Sequence, residues 1–149
     1  MEGGTGMMVS TRGHYALQVM IDLAEQQTSC FIPLKEIAAR QDISEKYLES
    51  IVKLLVQGGY LEGLRGKGGG YRLLKPPENC VVGQILRLTE ETLAPVACLD
   101  ERTRPCPRAA ACKTLPMWQK LNTMINDYFD GITVADLMNA EQAVDNYVI

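Results

Sequence analysis

Three of the chain's five cysteines, Cys98, Cys106 and Cys112, fall within fifteen residues. Seven and then five residues separate them, so the paired CxxC spacing that clamps a tetrahedral zinc ion is absent. Thiolates on irregular loops are the main ligands of iron-sulfur clusters, whose negative charge basic neighbours offset. The segment supplies such neighbours: Arg102, Arg104, Arg108 and Lys113. Positive neighbours also lower the pKa of a thiol, so an iron-sulfur cluster and direct redox sensing by free thiols stay open as alternatives.

The other two cysteines, Cys30 and Cys80, have no partner nearby in the sequence, and we expect both to be small buried hydrophobic residues. A disulfide framework is not expected, because the N-terminus lacks the basic and apolar regions of a signal peptide. No apolar run approaches the roughly 20 residues that span a bilayer. We therefore expect a cytoplasmic protein with reduced thiols and no membrane partner.

A glycine-rich stretch at residues 65–70 has the sequence RGKGGG. It does not open a helix and lacks the Lys-Ser or Lys-Thr of a phosphate-binding P-loop, which argues against nucleotide binding. Residues 60–64 and 71–74 on either side have strand character, so the pattern predicts a hairpin. The glycines serve hairpin flexibility alone, or they let the backbone approach a phosphate or enter a minor groove while Arg65 and Lys67 supply charge.

The formal charge of −3 argues against a surface coated with basic residues. Its distribution is uneven, because residues 1–80 carry nine Lys or Arg and nine Asp or Glu, whereas residues 81–149 carry six and nine. Within the balanced half, one local basic spot is opposed only by Glu62. Its members are Arg65, Lys67, Arg72 and Lys75. This spot lies in and beside the glycine-rich stretch.

The residues before that stretch predict a helix-turn-helix. Apolar residues at helical spacing predict a first helix from about Ser10 to Gln27 and a second over residues 34–40. A third helix begins at Ser44, a good N-cap, and is ended by the glycines at 58 and 59. Two short helices around a tight turn are the helix-turn-helix pattern, and the hairpin that follows is then a wing.

The exposed face of the third helix is expected to enter a major groove, where polar side chains meet base edges. The alternative is an ordinary solvated helix face. Glu49 is the most informative residue, because a carboxylate near phosphates costs affinity unless it accepts a hydrogen bond from a cytosine amino group. The predicted DNA-binding residues are Ser44, Lys46, Tyr47, Glu49, Ser50, Lys53, Arg65, Gly66, Lys67, Gly68 and Tyr71.

The second half of the chain begins with a predicted fourth helix at residues 81–86. Periodicity disappears over residues 93–113, where prolines prevent regular helix and the three clustered cysteines lie. A long helix then follows Thr114 and ends at Gly131, and Thr133 opens a short last helix. The long helix has a broad apolar face, expected to be a dimer seam or part of the core. The predicted dimerisation residues are Trp118, Leu121, Met124, Ile125 and Tyr128.

These elements predict a mainly α fold with a small β-wing. We expect a flexible leader at residues 1–8, a winged helix-turn-helix DNA-binding domain at 9–80, and a cysteine-loop sensor and dimerisation region with one long helix at 81–149. With 149 residues, 46% of them hydrophobic, the chain is long enough for one full domain, or for a small domain plus an appendage. An enzyme is not expected, because there is one histidine and no catalytic set or complete nucleotide motif can be placed.

Four stretches together resemble a known family: STRGHYALQVMIDLA, LKEIAARQDISEKYLESIVKLLVQGGYLEGLRGKGGGYRL, VVGQIL, and the three-cysteine loop followed by MW. They are similar to the Rrf-type winged-helix regulators, which include the IscR, NsrR and CymR groups. The likeness covers nearly everything from Met8 to about Met138. It implies a homodimer whose long helix, at about residues 115–130, packs against its mate. Each recognition helix and wing would then meet one half-site of a palindromic double-stranded DNA operator.

The resemblance also implies that Cys98, Cys106 and Cys112 match the cluster-binding cysteines of IscR-like members, with a 2Fe-2S cluster favoured over 4Fe-4S. The first interval between cysteines is longer here, and Leu115 stands where those members carry a histidine ligand. Some relatives send an acidic side chain from the start of the first helix to the partner's cluster. His14 is therefore a candidate fourth ligand, and the alternative is a helix-surface or DNA-facing residue.

Together these features predict a transcriptional repressor or activator whose operator affinity is switched by an iron-sulfur cluster that orders residues 93–113. One alternative is a CymR-like repressor with no cofactor, signalled by a protein partner, a metabolite or thiol oxidation. Another is a redox or metal protein that uses the winged domain for protein interaction. Protein colour tests the first alternative, and the salt dependence of DNA binding tests the second.

Overall fold

The computed structural model describes residues 9–26, 29–100, 102 and 106–140. Its helices are α1 (Thr11–Glu25), α2 (Leu34–Gln41), α3 (Glu45–Gln57), α4 (Val82–Thr89), α5 (Leu115–Asp130) and α6 (Val134–Met138). Strands β1 (Leu61–Leu64) and β2 (Gly70–Leu73) form an antiparallel hairpin, and 3₁₀ turns cover Pro77–Asn79, Ala97–Leu99 and Ala109–Ala111. The predicted mainly α fold with a β-wing is confirmed. The predicted leader, residues 1–8, lies outside the described residues.

Side-chain hydroxyls cap the beginnings of α1, α3 and α6. Ser44, the predicted N-cap of α3, accepts a hydrogen bond from the Tyr47 amide at 3.1 Å. Asp42 ends α2 in a left-handed conformation with φ 54°, which turns the chain sharply into α3. The turn places α3 across α2, as the helix-turn-helix prediction requires.

The start of α1 is tied to the end of α4. The backbone N–H of Ser10 and its hydroxyl both donate to the Glu90 carboxylate, at 2.8 and 2.6 Å. The same hydroxyl accepts from the Gly13 amide, so it caps α1. A Cβ at Gly13 would lie 2.5 Å from Glu90 Oε2, so a larger residue would force this contact apart.

One hydrophobic core joins both halves of the chain. Helix α3 buries Leu48, Ile51, Val52 and Leu55 against α1 and α2, and Ile85 of α4 and Val134 of α6 belong to the same cluster. Backbone hydrogen bonds of 2.8 Å join Val82 N–H to the Ile132 carbonyl and Val134 N–H to the Cys80 carbonyl. The segment that leads into α4 and the segment that follows α5 are therefore bound side by side.

The two isolated cysteines differ in environment. Cys80 is fully buried, as predicted, and burial raises the pKa of its thiol. Cys30 is exposed, so the expectation that it is buried was wrong. It lies in the connection between α1 and α2, and connections of this kind run over the surface because their backbone needs water or other partners.

The connection between α1 and α2 also holds the wing, in addition to the two strands themselves. Ile32, between α1 and α2, pairs with Tyr71 of β2 through two backbone hydrogen bonds of 2.8 Å. At Gly70, φ is 146° and a Cβ would lie 2.1 Å from the Ile32 carbonyl oxygen. Only glycine fits this close approach. Strand β2 is thus central, with β1 on one side and residue 32 on the other.

Helix α5 lies on the outside of the fold. None of its side chains is fully buried, and Met124 and Tyr128 are 58% and 67% exposed. It is attached to α4 by Arg87, which donates to Asp130 at 2.8 Å and to Asn126 at 2.6 Å. In the described part of the chain, no helix is long and apolar enough to cross a membrane.

Candidate nucleic-acid interface

The outward face of α3 and the wing border one open groove of about 670 Å³. Six predicted DNA-binding residues line it: Lys46, Glu49, Ser50, Lys53, Arg65 and Tyr71. Gly66, Lys67 and Gly68 are exposed in the loop that joins β1 to β2. The structure thus brings most of the predicted residues from two separate elements to one surface.

Ser44 and Tyr47 make structural contacts at the start of α3. The Ser44 hydroxyl is engaged as the helix cap. Tyr47 is half-buried and meets the Tyr15 ring edge-on, with the ring centroids 6.1 Å apart. A direct DNA contact by either residue remains a prediction.

The groove also contains residues that the sequence reasoning missed. Val56, Gln57 and Leu64 line it, and Val56 and Leu64 are 38% and 50% exposed. Helical spacing could have found the first two, because they lie seven and eight positions after Glu49 on the same face. The apolar side chains of Val56, at the far end of α3, and Leu64, on β1, suit contact with sugars and thymine methyl groups.

The structure divides the predicted basic spot into two pairs. Arg65 and Lys67 are exposed, and within the described residues neither side chain takes part in an ion pair or hydrogen bond. Arg72, in contrast, pairs with Glu62 at 2.8 Å, and the ammonium of Lys75 lies 4.6 Å from the Tyr60 ring centroid. Within the described residues, the positive charge of the wing that no carboxylate neutralises is therefore carried by Arg65 and Lys67.

We expect replacement of Glu49 by alanine to relax base preference. The carboxylate is exposed in the groove, so its removal should strengthen binding to sequences without a suitably placed cytosine and weaken binding to the preferred one. Selection of DNA from a random duplex pool, with both proteins in parallel, measures this. Exposed Glu45 lies one turn earlier and outside the groove lining, so Glu45→Ala is a matched control. An equal change in affinity for all sequences would contradict a role in specificity.

The cysteine segment carries three free thiols. Cys98 is exposed in the turn Ala97–Leu99, and Cys106 and Cys112 are half-buried. Cys112 Sγ lies 3.4 Å from the Thr114 hydroxyl, and hydrogen bonding to Thr114 lowers the pKa of this thiol. Among the described residues, no three His, Cys, Asp or Glu side chains are grouped as metal ligands. The structure does not gather the predicted ligand set.

A charged contact anchors the beginning of this segment. Arg102 hydrogen-bonds to the Asp100 carboxylate through its side chain and its backbone N–H, and these bonds lower the pKa of Asp100 to about 2. Arg102 also reaches Glu91 beyond the end of α4 at 3.4 Å. The segment is therefore connected to α4 close to Glu90, which holds the start of α1.

His14 lies on the exposed side of α1. It borders a shallow groove with Leu17, Leu86 and Phe129, and its ring meets Tyr15 at a centroid distance of 5.7 Å. The described residues place no cysteine in that groove. A fourth-ligand role for His14 remains a prediction.

A known family, a curated relative and two solved structures resemble this chain over most of its length. The family model "Rrf2: Iron-dependent Transcriptional regulator" matches residues 9–140. Protein rrf2 of Nitratidesulfovibrio vulgaris is 36% identical over 132 residues, which cover 89% of this chain and 87% of that protein. The structure of CymR, the global cysteine regulator of B. subtilis, has a TM-score of 0.73 at 30% identity, covering 91% of this chain and 98% of that chain. For T. potens IscR the TM-score is 0.68 at 32% identity, with 97% and 100% covered.

Proposed function

Because the chain belongs to the Rrf2 family of DNA-binding transcriptional regulators, we propose that it acts in the cytoplasm as a homodimer on a palindromic operator. The chain is a regulator of the Rrf2, IscR and CymR type and not an enzyme, as the sequence predicted. The proposal assigns DNA reading to residues 9–80, and sensing and dimerisation to residues 81–149. The observation that carries it is the groove between α3 and the wing, with Arg65 and Lys67 exposed beside it.

The proposed binding mode follows from the shape of that surface. A major groove about 12 Å wide admits one α-helix, and the residues of α3 that line the groove are mostly polar or charged. The wing has glycines in its loop, so its backbone can approach phosphates or a neighbouring minor groove closely. Phosphate contacts by the wing would position α3, and α3 would read the bases.

The proposed dimer rests on α5. Sixteen residues of helix with no fully buried side chain leave an apolar face that the described part of the chain does not cover completely. The predicted seam residues lie along this helix, with Trp118, Leu121 and Ile125 half-buried and Met124 and Tyr128 exposed. Burial of such a face against a second copy follows from the hydrophobic effect.

We expect Met124→Glu to disrupt the dimer. A carboxylate in an apolar interface loses hydration without gaining a partner, so the dissociation constant of the dimer should rise by about 100-fold or more. Sedimentation over a range of protein concentrations measures it. Gln119→Glu adds the same charge to another exposed position of α5 and serves as the control. Identical dissociation constants for the two variants would contradict the proposed seam.

DNA binding itself is tested by titration at several salt concentrations. The probe is a labelled duplex enriched from a random pool by the wild-type protein. Counterion release from phosphates predicts a steep fall in affinity as salt rises. A flat salt dependence would overturn DNA binding and favour use of the winged fold for protein interaction.

We further propose that Cys98, Cys106 and Cys112 hold an iron-sulfur cluster, with 2Fe-2S favoured over 4Fe-4S and His14 as the candidate fourth ligand. The donor chemistry fits, since three free thiols at least partly accessible share one segment and Thr114 favours the thiolate of Cys112. When bound, such a group supplies one-electron redox chemistry. The alternative is a regulator without a cluster, signalled by thiol oxidation, a metabolite or a protein partner.

An anaerobic visible spectrum with iron and sulfide analysis decides between the two. We expect visible absorption and bound iron in the wild type and their loss in Cys106→Ala. Cys30→Ala removes an exposed cysteine outside the segment and should keep both. Colourless, iron-free wild-type protein after anaerobic reconstitution would remove the cluster and leave the DNA-binding proposal unchanged.

A further inference from the structure

We propose that Arg72 is a positioning residue that fixes the wing against the connection between α1 and α2 and does not itself bind a DNA phosphate. This inference rests on the proposed DNA-binding function. By sequence, Arg72 belongs to the same basic spot as Arg65 and Lys67. The structure gives it a different environment from those two residues.

The guanidinium of Arg72 is engaged on three sides. Its Nε donates to Glu62 Oε2 at 2.8 Å, and its Nη2 lies 2.8 Å from the same oxygen. Its Nη1 donates to the Ser29 carbonyl at 2.8 Å. The guanidinium carbon lies 4.2 Å from the centroid of the Phe31 ring, which covers one face.

These contacts join both edges of β2. Glu62 is the residue directly opposite Arg72 on β1. Ser29 and Phe31 precede Ile32, which pairs with Tyr71 on the other edge. One side chain therefore ties the outer strand of the wing to a segment more than forty residues before Arg72. A planar group with several donors can make these contacts together, whereas an ammonium cannot reproduce their geometry.

The charge balance supports positioning over phosphate contact. Glu62 neutralises Arg72 in the folded chain, and a phosphate would have to compete with this carboxylate. Arg65 and Lys67 have no such competitor within the described residues. Their distance from α3 depends on the orientation of the hairpin. A wing that is already held in one orientation loses less conformational entropy when it binds DNA. Arg72 would therefore raise DNA affinity through Arg65 and Lys67.

Arginine-to-lysine changes at two positions provide the test, with the labelled duplex enriched from a random pool. Lysine keeps a phosphate contact as a point charge, so Arg65→Lys should bind DNA within about twofold of the wild type. Arg72→Lys keeps the charge but loses the planar guanidinium with its several donors, so this variant should bind DNA about tenfold more weakly than the wild type. Both are measured well below the thermal midpoint of each variant, so that every sample is folded.

Glu62→Gln gives the second, opposite-signed test. If Arg72 acted as a phosphate contact, removal of the neighbouring negative charge would strengthen DNA binding. Under the positioning role, loss of the Arg72–Glu62 pair weakens DNA binding by about tenfold, and the double variant with Arg72→Lys binds DNA no more weakly than either single variant.

Phosphate ethylation interference on the Arg72→Lys and Glu62→Gln variants should show weakened phosphate contacts by the wing and retained contacts by α3. Wild-type affinity in Arg72→Lys, or stronger binding in Glu62→Gln, would overturn the inference. Absence of DNA binding by the wild type would instead overturn the proposed function.

Discussion

Replacement of Arg65 and Lys67 together by alanine is expected to lower DNA affinity by about 100-fold near physiological salt. Both side chains are exposed, and Arg65 lines the groove beside α3. Neither has an ion pair within the part of the chain that the structure describes, so little local interaction is lost with them. The loss should fall nearly equally on all DNA sequences, because phosphate contacts carry no direct sequence information.

The salt dependence separates this effect from general damage. Each phosphate contact contributes about one unit to the slope of log affinity against log salt, so the double variant should have a slope smaller by about two for each protomer bound. Anisotropy titrations at several salt concentrations measure the slope. Arg108→Ala with Lys113→Ala removes the same charge from exposed positions of the cysteine segment and should leave the slope nearly unchanged. Equal slopes in the wild type and in the Arg65 and Lys67 variant would contradict phosphate contact by the wing.

Leu48→Ala should cause a large loss of stability. Leu48 is completely buried beside Ile51 and Leu55, and its truncation leaves a cavity between α3, the helix proposed to read DNA, and the core. Leucine-to-alanine changes at such positions cost about 2–5 kcal/mol, a large part of the roughly 5–15 kcal/mol that stabilises a domain. Denaturant unfolding at one fixed protomer concentration measures the difference in the free energy of unfolding.

A control for this prediction lies on the same helix. Val56 is 38% exposed at the groove, so Val56→Ala should change the free energy of unfolding by only about 0.5 kcal/mol. Comparable losses in the two variants would mean that the inner face of α3 is not the one that contacts the core. The pair thus tests which face of α3 is available for the proposed DNA contact.

The local elements were predictable because short-range signals specify them. Apolar spacing indicated the buried face of α3, Ser44 capped it, and the glycines of the wing loop marked the turn between two strands. The same signals placed Lys46, Glu49 and Arg65, which line one groove. Periodicity on one helix and a hairpin that follows it directly are enough to predict such a surface.

Long-range pairing was not predictable in the same way. Nothing near Arg72 in the sequence indicates that it donates to the carbonyl of Ser29 or lies over Phe31, because those contacts depend on how the connection between α1 and α2 returns to the wing. The exposure of Cys30 depends on how the same connection packs against the wing. For the cysteine segment, spacing alone left the ligand set open, and the described residues do not gather it.

The backbone pairing between Cys80 and Val134, and between Val82 and Ile132, has a consequence for protein engineering. Because Ile85 of α4 and Val134 of α6 both belong to the core of the winged fold, residues 91–131 lie between two segments that this core holds in place. A chimaera joined once, after residue 80, would separate α1 from Glu90 and Val134. Under the proposed sensing role of this region, exchange of signal specificity between regulators of this type needs two junctions, one after Glu90 and one before Ile132.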